Sequence, residues 1–140
     1  MRVGNKLAIG VHILSLLATE DAQEQSSEWL AGSIGVNPVI VRNVIGLLRR
    51  SGLVYARQGV AGTHLARPLS QITLLDVYQA VETDRDLFSI HTNPNPDCVV
   101  GSNISITLTN VFGDAQRAME EQLGKTSLTD IVAALQTSNR

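Results

Sequence analysis

The chain has a single cysteine in 140 residues, Cys98, which excludes an intramolecular disulfide framework and suits a reducing compartment. Aromatic residues make up 4% of the sequence, so aliphatic side chains must fill the interior of about one domain's worth of core. Long apolar runs are missing too. The stretch Leu7 to Ala18 is broken by His12 and Ser15 and lacks a small-residue cleavage site, so it reads as neither signal peptide nor transmembrane helix. A cytoplasmic protein with no membrane partner is expected. The most informative scarcity is of negative charge: from Trp29 to Leu75 there is no Asp or Glu, yet the same stretch carries five arginines, Arg42, Arg49, Arg50, Arg57 and Arg67. The formal net charge is −2, but residues 1–72 hold seven Arg/Lys against four Asp/Glu, and residues 73–140 hold four against nine. The acidic total hides a basic N-terminal half, the electrostatic footprint of a polyanion-binding surface.

Helical spacing organises that half. Leu7, Val11, Leu14, Leu17 and Ala18, with Ile13 beside them, predict a first helix seen from its buried face. Ser26-Ser27 is a start signal for a short second helix with Leu30, Ala31 and Ile34 on one side, stopped by Gly35. Asn37-Pro38 then supplies an N-cap and a proline at the first helical position, where its missing N–H costs nothing. Helix, tight turn and helix make a helix-turn-helix.

In the third helix Val41, Val44, Ile45 and Leu48 fall at i, i+3, i+4 and i+7, which fixes the core face and turns Val39, Arg42, Asn43, Gly46, Arg49 and Arg50 outward or to the flanks. Arginine can pair bidentately with guanine and asparagine with adenine in the major groove. Arg42 and Asn43 lie in the early part of the helix, which recognition helices insert deepest, whereas Arg49 and Arg50 suit phosphates. The competing reading is an amphipathic helix with a solvated arginine face. The lack of acidic partners in the window favours nucleic acid, because ordinary solvated faces mix both signs.

Beyond Ser51-Gly52, the segments Leu53 to Arg57 and Thr63 to Arg67 around a glycine turn predict a β-hairpin wing, with Arg57 and Gln58 at its mouth and in reach of a minor groove. Residues Thr73 to Val81, with Leu74, Val77, Tyr78 and Val81 at helical spacing, predict a fourth helix. Asp84 to Asp97 reads as an acidic, Pro/Asn-rich linker or functional loop. Ile104, Leu108, Val111, Phe112, Ala115, Met119 and Leu123 then recur at threes and fours and predict a long amphipathic helix over 103–123. At about 30 Å it is too long for a small winged domain to cover, so its seam is expected to meet a second copy of the chain. Packing within the chain, under the first helix, is the alternative. Ser127 and Asp130 resemble a capping box for a last short helix.

Chemistry beyond binding has little support. His12, His64 and His91 form no metal signature, and no nucleophile-base constellation or phosphate loop is present, so the chain does not read as an enzyme. Cys98 precedes the long helix, where a helix N-terminus can favour a thiolate and make it a sensor of oxidants or electrophiles. A buried inert thiol is the alternative.

The order of these pieces resembles a known family. Met1-Arg2, the helix-turn Leu30-Ala31-Gly32-Ser33-Ile34-Gly35-Val36-Asn37-Pro38, the segment Leu48-Arg49-Arg50-Ser51-Gly52-Leu53-Val54, the glycine wing, and Ile72-Thr73-Leu74-Leu75-Asp76-Val77 with Ala80-Val81-Glu82 look like the Rrf-two family (Rrf2) of bacterial winged-helix repressors. The resemblance runs nearly end to end. It implies dimers on palindromic operators, a recognition helix in the major groove, a wing in the minor groove and a long C-terminal dimerisation helix. It also points to Arg2 and Asn37 as DNA contacts beside Val39, Arg42, Asn43, Arg49, Arg50, Arg57 and Gln58. Iron–sulfur members carry three cysteines before the long helix. Here Cys98 stands alone, and His91 and Asp97 do not make up the deficit, so no cofactor is expected. In the wing, Gly62 is followed by Thr63-His64 where the family usually has Gly-Tyr, and strand alternation leaves open whether Arg57 or Gln58 faces the groove.

The expected fold is mainly α with a small β-hairpin. A winged helix-turn-helix domain over 1–83 is followed by a linker or effector loop over 84–102 and by the dimerisation and final helices over 103–140. The expected function is sequence-specific binding of double-stranded DNA by a homodimeric repressor. Its effector, a small molecule or a redox signal, is unassigned, with Cys98 as the candidate handle. A winged-helix protein-interaction module without DNA binding is the competing class, but it has no reason to exclude acids from the whole recognition helix and wing.

Overall fold

The computed structural model describes residues 5–19, 26–60, 62–83, 95 and 97–138. Among them are six α-helices, α1 (Asn5–Thr19), α2 (Ser27–Ile34), α3 (Pro38–Arg50), α4 (Leu74–Val81), α5 (Val99–Gly124) and α6 (Leu128–Ser138). Between α3 and α4 lie the two strands β1 (Val54–Tyr55) and β2 (His64–Leu65), then a short 3-10 turn, Leu69–Gln71. This is the mainly helical winged architecture expected, though the strands are shorter than the hairpin segments suggested.

The caps explain the breaks. Ser26 accepts a hydrogen bond from the Trp29 N–H at the start of α2. Gly35 ends it in the left-handed region at φ 84°, where a side chain would be strained. Asn37 Oδ1 accepts from the Val39 N–H at 2.9 Å, with Pro38 opening α3. The chain turns through 109° between α2 and α3, inside the range of helix-turn-helix units.

Val41, Val44, Ile45 and Leu48 of α3 are buried as their spacing requires, and they share one core with α1, α2, α4, Leu53, Val54 and Ile72. Helix α1 departs from expectation. Ile9, Gly10, Ile13, Leu14 and Leu17 are its buried apolar set, while Leu7 and Val11 are half-buried and Ala18 is exposed. The helix is apolar on most sides, so spacing alone does not fix its rotation. The close approach of Gly10 to α4 shows which side faces inward.

Helix α4 opens with a reciprocal capping box. Thr73 Oγ1 accepts from the Asp76 N–H and Asp76 Oδ2 accepts from the Thr73 N–H, at 3.1 and 3.0 Å. The box inferred for α6 is present as well, between Ser127 and Asp130. The two helix starts lie side by side: Leu74 N–H donates to Thr126 O, Leu128 N–H donates to Ile72 O, and Thr73 pairs with Ser127 in an antiparallel bridge. Leu128 is fully buried and ties the chain beyond α5 back to the winged domain.

Helix α5 begins at Val99, inside the segment 84–102 expected as linker, and none of its 26 residues is buried. Helix α1 does not cover it. It packs on α4 near its C-terminal end, where Gly124 meets Leu75.

Candidate nucleic-acid interface

The outer face of α3 presents Val39, Arg42, Asn43, Arg49 and Arg50, all exposed. Val44 and Leu48 anchor the helix from below, so these side chains project from a fixed base. Arg49 and Arg50 occupy the last turn, where their charge also complements the helix dipole. The Arg50 guanidinium lies back over Gly46, one turn earlier. Asn37 is exposed, but its Oδ1 is engaged in capping. Ile40, 43% exposed beside Val39 at 62%, is an apolar member of this face that the sequence reading passed over. It lies off the stripe of positions 41, 44, 45 and 48, and that was the available signal. Exposed aliphatics on a recognition helix can meet thymine methyl groups.

The wing stands beside α3. Val54 pairs with Leu65 and Tyr55 with His64 in antiparallel register, and the Tyr55 and His64 rings lie 5.5 Å apart between centroids. Arg57 and Gln58 sit in the turn, both exposed, with Val60 N–H donating to Arg57 O and Gly59 at φ 78°. A positive φ at the third position of such a turn favours glycine. The tip therefore offers a charged and an amide side chain together. Arg2 and His91 lie outside the described residues.

The acid-free window proves narrower in space than in sequence. Arg42 Nη2 donates to Glu28 Oε1 at 2.8 Å, from α3 to the first turn of α2. Glu28 lies one residue before the window opens, so the inference that Arg42 lacks an acidic partner fails. The pKa of Glu28 is lowered by a hydrogen bond from its own backbone N–H and by Arg42. Arg67 lies 4.0 Å from Asp76, just beyond the window's other end. Arg49, Arg50 and Arg57 have no acidic partner among the described residues.

The proposed dimer residues share one helix, and none of them is buried. Ile104, Leu108, Phe112 and Met119 are half-buried, and Val111 and Ala115 are exposed. Cys98 is the N-cap residue of α5, exposed rather than buried, and without a side-chain capping bond. No single helix among the described residues is long and apolar enough to cross a membrane.

A helix-turn-helix with a wing and a long trailing helix recurs in known proteins. The profile of the Rrf2 family, described as an iron-dependent transcriptional regulator, matches residues 3–134. The chain belongs to the Rrf2 family of transcriptional regulators. It is 42% identical over 130 residues to YwnA of Bacillus subtilis (strain 168), provisionally named an HTH-type transcriptional regulator, covering 93% of this chain and 96% of that one. A crystal structure of a protein provisionally described as DNA-binding shares 38% identity with a TM-score of 0.76, over 91% of this chain and 98% of that one. The IscR structure from T. potens shares the fold at 20% identity, with a TM-score of 0.72 over 100% of this chain and 92% of that one. An Rrf2 member is a DNA-binding regulator of helix-turn-helix type rather than an enzyme. The family's description names iron; the sequence has one cysteine, and no group of three or more His, Cys, Asp or Glu is gathered among the described residues.

Proposed function

We propose that this Rrf2 regulator is a homodimeric repressor that reads a palindromic operator with two copies of α3 and its wing, without an iron–sulfur cluster. The observation that carries the DNA-reading part is the outer face of α3, where Arg42, Asn43, Arg49 and Arg50 stand exposed over a rigid apolar base. The dimer is supported by α5, which carries an apolar seam yet buries none of its residues. Two-fold symmetry of the protein would then be mirrored in the operator. Occupying a site that overlaps a promoter is enough to block transcription, so repression asks for no further contact surface.

Binding-site selection from random duplex DNA tests this reading, with enrichment of a palindrome expected. Arg42→Ala should cost about 1–3 kcal/mol and relax preference at one or two base pairs, whereas Arg50→Ala should weaken all sequences alike and flatten the salt dependence. Binding by an Arg42→Ala/Arg50→Ala protein that matches wild type would overturn the assignment.

The effector signal is assigned to Cys98, on the strength of its exposure at the N-cap of α5. With one thiol per chain, oxidation gives a sulfenic acid, a mixed disulfide or a bridge between subunits, never an internal disulfide. Mild peroxide should change operator binding by wild type and leave Cys98→Ser unaffected. Identical responses would remove the thiol from the mechanism.

A further inference from the structure

The Glu28–Arg42 pair is not explained by the fold. Both side chains are largely exposed, 67% for Glu28 and 55% for Arg42, and an ion pair this open to water contributes little to stability. It joins the two helices of the helix-turn-helix across 14 residues of sequence and lies on the face expected to meet DNA. It also treats one arginine differently from its neighbours. Arg49, Arg50 and Arg57 have no acidic partner among the described residues, while the arginine nearest the start of α3 has one at hydrogen-bond distance.

We propose that Glu28 is a specificity-determining positioning residue. Its carboxylate holds the Arg42 guanidinium at a base edge and cancels the charge with which Arg42 would otherwise attract any phosphate. The proposal rests on the DNA reading above.

The chemistry follows from the shapes of the two groups. A free arginine side chain samples many rotamers and meets a phosphate as readily as a base. One N–H of the fork given to Glu28 fixes the plane of the guanidinium and leaves its other donors for the two acceptors of guanine, O6 and N7. The second effect is repulsive. If Arg42 swings to a phosphate or meets the wrong base, Glu28 is left as an unpaired carboxylate close to the duplex, so mismatched registers are penalised as well as the correct one favoured. Arg49 and Arg50 supply general attraction to the backbone, and Arg42 with Glu28 supplies discrimination.

The experiment is selection from a random duplex library by wild type, Glu28→Gln, Glu28→Asp, Arg42→Ala and Arg42→Ala/Glu28→Gln, followed by salt titrations on the enriched duplex and on a scrambled one. Glu28 is exposed, so Glu28→Gln should unfold at the wild-type temperature. Its discrimination at one base pair per half-site should fall about tenfold while the other positions stand. Its binding to scrambled DNA should tighten, with a salt slope steeper by about 0.9 for each Arg42 released to a phosphate. Glu28→Asp keeps the charge and should keep the wild-type slope while losing part of the discrimination. Against an Arg42→Ala background, Glu28→Gln should leave base preference unchanged, because the carboxylate is taken to read sequence only through that arginine. A Glu28→Gln profile superimposable on wild type, or a double variant whose base preference differs from that of Arg42→Ala, overturns the proposal. Failure of wild type to enrich any sequence is a separate outcome: it overturns the DNA reading and this proposal with it.

Discussion

Gly10 of α1 faces Val77 of α4 so closely that a Cβ at position 10 would lie 3.0 Å from Val77 Cγ1, with Val81 Cγ1 at 3.5 Å and Leu48 Cδ2 at 3.8 Å. The glycine lets three helices meet at one point. Gly10→Leu should therefore overpack that junction and destabilise the fold by about 1–3 kcal/mol, read as a lower urea midpoint. An unchanged midpoint would mean that α1 sits farther from α4 than described.

Gly46 is the contrasting case. A Cβ there would meet only the Arg50 guanidinium, at an ordinary 3.8 Å. Gly46→Ala should raise stability by about 0.5–1 kcal/mol through helix propensity alone. A loss of stability would show a constraint on this face that the free chain does not reveal.

Phe112→Asp tests the apolar seam of α5. If the seam meets a second copy, the variant places a carboxylate in an apolar contact at a cost of several kcal/mol and should sediment as a monomer. DNA affinity should fall steeply, because two half-sites are no longer engaged together. A wild-type protein that is already monomeric at micromolar concentration would dispose of the dimer.

The lowered pKa of Glu28 sets an expectation for pH. A carboxylate with a depressed folded-state pKa stabilises the fold above its unfolded value, and that contribution is lost as pH falls through the folded one. Glu28 should thus stay ionised across the neutral range, and base discrimination through Arg42 should not change between about pH 6 and 8, well above the ordinary glutamate pKa of about 4.3. Following the Glu28 carboxyl carbon by NMR should show a midpoint that rises in Arg42→Ala. The same midpoint in both proteins would mean that the pair does not form in solution.

The sequence was most informative where one physical rule dominated. The stripe of Val41, Val44, Ile45 and Leu48 settled the rotation of α3, and Asn37-Pro38 with Gly35 settled the turn before it. It was less informative where several rules competed. Helix α1 is apolar on too many sides for spacing to choose among them. The first residues of α5, Val99-Val100-Gly101-Ser102, are β-branched, small or polar, so the apolar pattern starts at Ile104 although the helix starts at Val99. The Glu28–Arg42 contact depends on the 109° turn between helices, which no count of charges along the chain contains. The pairing of Thr73 with Ser127 is likewise a product of tertiary return.

That return makes α5 a lever. The turn that follows it is held beside the start of α4 by the Leu74–Thr126 and Leu128–Ile72 hydrogen bonds, while its first residue lies about 39 Å away along a 26-residue helix. A tilt of about 5° at the pinned end sweeps the Cys98 end through about 3 Å, a displacement comparable to the rise between successive base pairs. Any angular change at the end beside Leu75 and Gly124 is therefore largest, in ångströms, at the Cys98 end.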